Sequence, residues 1–211
     1  NPNQKSAGIT GLTLAGDSIL YCYNFSNQVF YVKADSLYEI SSWQGKRKYG
    51  FPSIVTTKDN CLWATSENAI YRFDRKGEHW SEVALITSGK TGSVNVMSAD
   101  PIGNIWFGCD SGIGCLKKNK VRVYPIPFTS GSSLNIADYV LCAATNDVWL
   151  VAIAGGAIYR FDGQAFHALG NEQLYKTLQN RKVTSVKVMQ SKLYIATYSG
   201  LVIYDISGKT I

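Results

Sequence analysis

The sequence predicts an all-β fold, and three observations carry the prediction. The 211 residues are 45% hydrophobic and 12% aromatic, with 19 glycines against 5 prolines, which suits many short strands joined by glycine turns. Helical periodicity is nearly absent: only "NEQLYKTLQN", residues 171–180, is spaced for a turn or two of helix. Most telling, the chain repeats itself. Aligned on "NIWFGCDSGIGCLK", it holds four relatives: "SILYCYNFSNQVFYVK", "CLWATSENAIYRFD", "DVWLVAIAGGAIYRFD" and "KLYIATYSGLVIYD". Their anchor aromatics, Tyr21, Trp63, Trp106, Trp149 and Tyr194, stand 42, 43, 43 and 45 residues apart.

Each unit reads as four strands. A short apolar stretch comes first: "ITGLTLA", "PSIVTT", "VNVMSA", "DYVLCAA" or "TSVKVM". A polar turn follows ("GDS", "KDN", "PIGN", "TND", "QSK"), and then the strand that holds the anchor aromatic. A second turn leads to an apolar strand that ends at Asp74, Asp162 or Asp205 in three of the units. The first four units add a fourth segment, "SLYEIS", "EHWSEV", "VRVYPI" or "AFHALG". A four-stranded unit of about 40–45 residues is the size of a β-propeller blade. One such sheet cannot bury both faces, so blades stack around an axis. The expected architecture is one propeller region over 1–211, with blade-like repeats at about 9–50, 51–94, 95–135, 136–183 and 184–211. The last repeat stops before a convincing fourth strand, and residues 1–8 are too polar to supply it. The count therefore points to an arc or fragment of a larger propeller rather than a small closed ring. Such an arc exposes two apolar blade faces and is expected to self-associate.

Charge and cysteine usage exclude several function classes. The net charge is +6, but the basic residues are scattered, and the densest group, Lys46-Arg47-Lys48, is too short for a nucleic-acid patch. The apolar run Val148 to Tyr159 spans 12 residues, contains Gly155-Gly156, and is too short to cross a bilayer. The chain opens on Asn without a signal peptide and is expected to be a processed or excised piece. Its five cysteines form no CxxC pair, sit in apolar stretches, and do not fix the redox compartment.

Several short motifs suggest chemistry that their surroundings do not support. Asp110-Ser111-Gly112 resembles a serine-protease nucleophile loop, but a triad needs a base, and His79 and His167 both fall at fourth-strand positions. Cys109 and Cys115 lie on opposite sides of a turn with no further ligands to complete a tetrahedral metal site, although an inter-strand disulfide stays open. "SGKTGS" (88–93) has Ala84 where a phosphate-binding loop requires glycine. Asn24-Phe25-Ser26 is a formal glycosylation acceptor. "SADPIGNIW" resembles the Asp-box hairpin of sialidases, one residue too long, and that box is a structural turn. No paired carboxylates, metal site or cofactor site emerges, so no catalytic residue, metal or cofactor is assigned.

The third unit, "DPIGNIWFGCDSGIGCLKKNKVRVY", resembles the repeat of the two-component-regulator propellers, the extracytoplasmic sensor regions of many bacterial, especially Bacteroidetes, histidine kinases. It matches that pattern at Asp100, Gly103, Ile105, Trp106, Phe107, Gly108, Gly112 and Ile113. The fifth unit matches at Leu193, Ile195, Thr197, Gly200, Leu201 and Tyr204. Units one, two and four depart from it, with Ala69 replacing a glycine and a two-residue insertion around Gly155-Gly156. The resemblance implies a non-catalytic periplasmic sensor region. It would relay binding of an oligosaccharide or other small ligand to a kinase carried elsewhere, meeting the membrane only through segments outside this chain. The competing readings are a WD-repeat-like interaction scaffold, weakened by the absence of a Gly-His…Trp-Asp signature, and a carbohydrate-active enzyme on a propeller frame.

In a propeller the expected ligand mouth is formed by the inter-blade connections and the turns between second and third strands. These place Trp43, Arg47, Lys90, Asp110, Asn135, Tyr175 and Tyr198 as candidate ligand-binding residues. Trp43, Tyr175 and Tyr198 are suited to stacking on a sugar face, and Arg47 and Lys90 to holding an anion.

Overall fold

The structure, a computed structural model, describes residues 8–24, 28–40, 53–66, 69–75, 79–85, 94, 96–109, 111–127, 139–144 and 147–211. Blade one comprises β1 (Ile9–Leu14), β2 (Leu20–Asn24), β3 (Val29–Lys33) and β4 (Ser36–Glu39). Blade two comprises β5 (Ile54–Thr56), β6 (Leu62–Ser66), β7 (Ala69–Asp74) and β8 (His79–Leu85). Blade three follows with β9 (Met97–Ala99), β10 (Ile105–Cys109), β11 (Gly112–Lys117) and β12 (Lys120–Tyr124). Blade four holds β13 (Tyr139–Ala144), β14 (Asp147–Ala152), β15 (Ile158–Phe161) and β16 (Phe166–Ala168). A seven-residue helix, α1 (Glu172–Leu178), leads into blade five: β17 (Val183–Met189), β18 (Lys192–Thr197) and β19 (Gly200–Asp205). In every sheet the strands pair antiparallel in chain order. The molecule is a five-bladed β-propeller, as its repeat predicts.

Alternation along the strands gives each blade two apolar faces, and neighbouring blades bury them against each other. In blades one to four the anchor aromatic sits on the face turned toward the following blade. Tyr21 packs with Ile54, Leu62, Ala64 and Phe73 of blade two. Trp106 packs with Leu141, Val148, Leu150 and Phe161 of blade four, and Trp149 with Val186, Leu193, Ile195 and Tyr204 of blade five. The core is therefore a series of wedges between sheets. The innermost strands pack in succession, β1 on β5, β5 on β9, β9 on β13 and β13 on β17. Among the described residues no core cluster joins blade five to blade one.

The hairpin turns show why the repeated residues are needed. Asp100 Oδ1 accepts from the backbone N–H of Ile102 (3.1 Å) and Asn104 (2.8 Å), while Oδ2 accepts from Asn104 Nδ2 (2.7 Å) and the Trp106 indole (3.0 Å). One carboxylate thus locks turn and wedge together. Cys109 and Thr197 occupy equivalent places, and each donates across its turn to a glycine carbonyl, Cys109 Sγ to Gly112 O (3.4 Å) and Thr197 Oγ1 to Gly200 O (2.8 Å). Cys109 therefore does the work of a threonine. Gly112, at φ 137°, has no room for a side chain: a Cβ would lie 2.2 Å from Tyr124 O.

All five cysteines are free thiols, so the disulfide left open by the sequence does not form. Burial pushes the Cys115 thiol up to about 11, with Asp100 adding to the shift. Asn24 is buried and exchanges hydrogen bonds with Gln28, so the formal glycosylation acceptor is structural. No helix among the described residues is long and apolar enough to cross a membrane.

Candidate functional site

One rim of the propeller is best defined where blade four passes to blade five. Asn171 caps α1, its Oδ1 accepting from Leu174 N at 2.8 Å, and Leu174 and Leu178 bury the apolar side of the helix against both blades. The turn between β14 and β15 reaches up to meet it. A Cβ on Gly155, at φ 78°, would lie 2.2 Å from Leu178 O, so glycine alone allows this approach. The chain then descends, with Val183 N donating to Ile153 O at 2.8 Å and Tyr198 N donating to Lys182 O at 3.1 Å. The turns at residues 153–156 and 198–199, the helix and Lys182 thus form one continuous ledge.

Tyr198 is the prominent group on that ledge. Its side chain is 76% exposed, and the Lys182 ammonium stands 5.3 Å from the ring centroid. A solvent-facing aromatic plane beside a cation suits an electron-rich, hydroxylated or anionic ligand. Tyr175, on α1, faces inward. Its ring packs at the margin of the core, its hydroxyl donates to Leu169 O, and burial raises its pKa. Trp43, Arg47, Lys90, Asp110 and Asn135 lie outside the described residues. The sequence reading overlooked Lys182 and the turn at 153–156; the two-residue insertion at Gly155-Gly156 was the available signal for the latter.

The opposite rim carries a groove of about 360 Å³ between blades three and four, lined by Asp100, Trp106, Asp147, Phe161 and Asp162 among others. Its carboxylates are already engaged. Asp147 pairs with Arg160 at 2.6 Å, and Asp162 Oδ1 accepts from the backbone of Gln164 and Ala165 while Oδ2 meets His167 at 2.8 Å. Those backbone donors hold the Asp162 carboxyl below the usual range. The two histidines of the chain lie on the outermost strands, His79 on β8 and His167 on β16. They belong to blades two and four, whereas Ser111 lies in the turn before β11 of blade three. Among the described residues no group of three or more His, Cys, Asp or Glu is placed to hold a metal ion.

Solved structures share this architecture. A streptogramin B lyase superposes with a TM-score of 0.70 at 19% identity, over 94% of this chain and 65% of that one. The virginiamycin B lyase from Staphylococcus aureus gives 0.67 at 15% identity, over 97% of this chain and 72% of that one. The extracellular domain described as part of a hybrid two component system, BT4673 from B. thetaiotaomicron, gives 0.66 at 15% identity, over 92% of this chain and 27% of that one. The likeness is one of fold. This chain spans about two thirds of the first lyase and about a quarter of the sensor domain. No family model matches the chain, and no curated protein does.

Proposed function

We propose that this chain is the ligand-binding propeller region of an extracytoplasmic sensor, non-catalytic itself, which relays binding to a signalling output carried elsewhere. The observation that carries the reading is the convergence of two independent likenesses. The third unit resembles the regulator-propeller repeat, and 92% of the chain superposes on the BT4673 extracellular domain. The residue chemistry agrees. Where the repeat is regular, its polar groups are spent on turns, as at Asp100; the insertion at Gly155-Gly156 and the side chain of Tyr198, at a variable position of an otherwise regular turn, build an exposed ledge. A ligand would stack on Tyr198 with Lys182 beside it, and Trp43, Arg47, Lys90, Asp110 and Asn135 would contribute from the other mouth loops, with Tyr175 supporting the ledge from beneath. Oligosaccharides fit this pairing of an aromatic plane and polar loops.

An enzymatic reading rests on the lyase likeness. A histidine-to-alanine variant of the S. aureus lyase is described as catalytically inactive. Here both histidines sit on outermost strands, away from the ledge, which favours the sensor reading. Thermal-shift screening of oligosaccharide and peptide pools separates the readings. A melting shift for wild type that Tyr198→Ala or Trp43→Ala abolishes supports the sensor ledge. A pool that is chemically converted by wild type and not by His79→Ala or His167→Ala overturns the non-catalytic reading.

A further inference from the structure

On the rim opposite the ledge, successive blades enclose a repeated groove between the first turn of one blade and the last turn of the next. The first turns of blades one and three match bond for bond. Ala15 N donates to Ile19 O and Ser18 N to Ala15 O (both 2.9 Å), as Asp100 N donates to Asn104 O and Gly103 N to Asp100 O (both 3.0 Å). Asp17 and Ile102 therefore hold equivalent places, each four residues before its anchor aromatic, Tyr21 or Trp106. On the other wall, the third strands of blades two, four and five end alike at Asp74, Asp162 and Asp205, and the next residues are Arg75, Gly163 and Ile206.

Those three residues decide what fills the groove. Between blades one and two it is a guanidinium: Arg75 pairs with Asp17, and its Cζ lies 5.2 Å from the centroid of the Tyr21 ring. Between blades four and five it is an alkyl group, Ile206, packed against the core cluster that holds Tyr204. Between blades three and four a Cβ on Gly163 would meet nothing within 4 Å, and the groove of about 360 Å³ is open.

The open groove has the chemistry that suits a guanidinium. Trp106 and Phe161 line it from the core, Asp147 and Asp162 from the side, and Ile102, 74% exposed, from the lip. Arg160 Nε and Nη2 both donate to Asp147 Oδ1, at 2.7 and 2.6 Å, and Asp147 Oδ2 has no hydrogen bond among the described residues. The Asp162 carboxylate is half-exposed beside His167. With Asp100, three carboxylates meet one arginine and one histidine, which leaves the groove net negative in either state of the histidine.

We propose that the groove between blades three and four docks an arginine side chain of a partner polypeptide, in the place that Arg75 takes between blades one and two. The chain's own repeat identifies the occupant, and the negative charge agrees with it. A guanidinium stacks on an aromatic ring while bonding carboxylates in its plane, which a lysine ammonium does not do. Free arginine suits the groove less well, because its own carboxylate is repelled by Asp147 and Asp162. The docking is separate from the Tyr198 ledge and does not depend on it.

Amide and indole chemical shifts of the 211-residue chain test this, with capped Gly-Arg-Gly, Gly-Lys-Gly and Gly-citrulline-Gly and with free arginine as probes. At about 10 mM, enough to fill a site with a dissociation constant of about 1 mM, capped Gly-Arg-Gly should move the signals of Ile102, Asn104, Gly163 and the Trp106 indole. The lysine peptide should bind at least about threefold more weakly, and the uncharged citrulline peptide should leave the signals in place. Ile102→Asp, which copies Asp17, should tighten binding about two- to fivefold and Ile102→Lys should weaken it about as much, the worth of one exposed ion pair. Residue 102 is exposed, so both variants keep the fold. Arg75→Ala should open the groove between blades one and two and add a second set of moving signals around Asp17; if that variant does not fold, the Ile102 pair decides. Unmoved groove signals with Gly-Arg-Gly, an equal response to the lysine or citrulline peptide, or tighter binding of free arginine than of the capped peptide overturns the proposal. So does a folded Arg75→Ala chain without the second set, or indifference to both changes at Ile102.

Discussion

Replacing the anchor aromatic by alanine has sharply different consequences in two blades. Trp106 is 6% exposed, with its ring 5.1 Å from Phe161 and 5.9 Å from Tyr124, and its indole donates to Asp100. A buried indole removes about 150–250 Å² from water. At about 25 cal/mol per Å², and allowing for the retained Cβ and partial collapse, Trp106→Ala should cost about 3–5 kcal/mol. The lost hydrogen bond is part of this. Trp106→Phe keeps most of the wedge, withdraws one of the four donors to Asp100, and should cost about 1–3 kcal/mol. Tyr194 holds the same repeat position in blade five but is only half-buried and joins no core cluster among the described residues, so Tyr194→Ala should cost only about 1 kcal/mol. Urea denaturation with a shared slope measures all three. A Tyr194→Ala penalty equal to that of Trp106→Ala would refute the wedge account, because it would mean blade five is covered as blade three is.

Other expectations follow from the same geometry. Gly112→Ala should destabilise by more than about 1 kcal/mol and more than Gly200→Ala, since both have positive φ but only Gly112 has a carbonyl in the way; equal melting temperatures would contradict this. In the native protein a disulfide reagent should react first with Cys61, the half-buried thiol, and after denaturation with all five cysteines. A count below five in denaturant would reveal a bridge. The carboxyls of Asp17 and Asp59 are held below their ordinary range, by Arg75 and by the Thr57 hydroxyl respectively, so ionisation is favoured in the folded state. Their stabilisation is present above about pH 4 and is lost as pH falls through the folded values, so the melting temperature should drop below about pH 4 and Asp17→Asn should flatten part of the drop.

The architecture was legible because a propeller writes it repeatedly. The even spacing from Tyr21 to Tyr194, with a polar turn before each aromatic, leaves little freedom for another fold. The alignment of Cys109 with Thr197 marks a shared small repeat position, but the hydrogen bond both make to a glycine carbonyl emerges only in the structure. The ledge was less legible. Nothing local marks Lys182 as a neighbour of Tyr198, because the contact is made by a strand edge meeting a turn 16 residues on. Tyr175 looks like any loop aromatic until α1 forms and turns the ring onto the core. Asn24 matched an acceptor motif, but burial is a property of the sheet, not of three residues. Repetition reveals a framework, whereas single-copy features depend on tertiary neighbours that have no repeat to betray them.

The most direct test of the functional claim is hydrogen exchange, resolved by peptide mass spectrometry, with and without an oligosaccharide selected by the thermal-shift screen. The account predicts new protection at residues 153–156, at Lys182 and at residues 198–199, with the repeat turns such as 100–104 unchanged. Protection confined to the groove around Asp100 and Asp162 would contradict it.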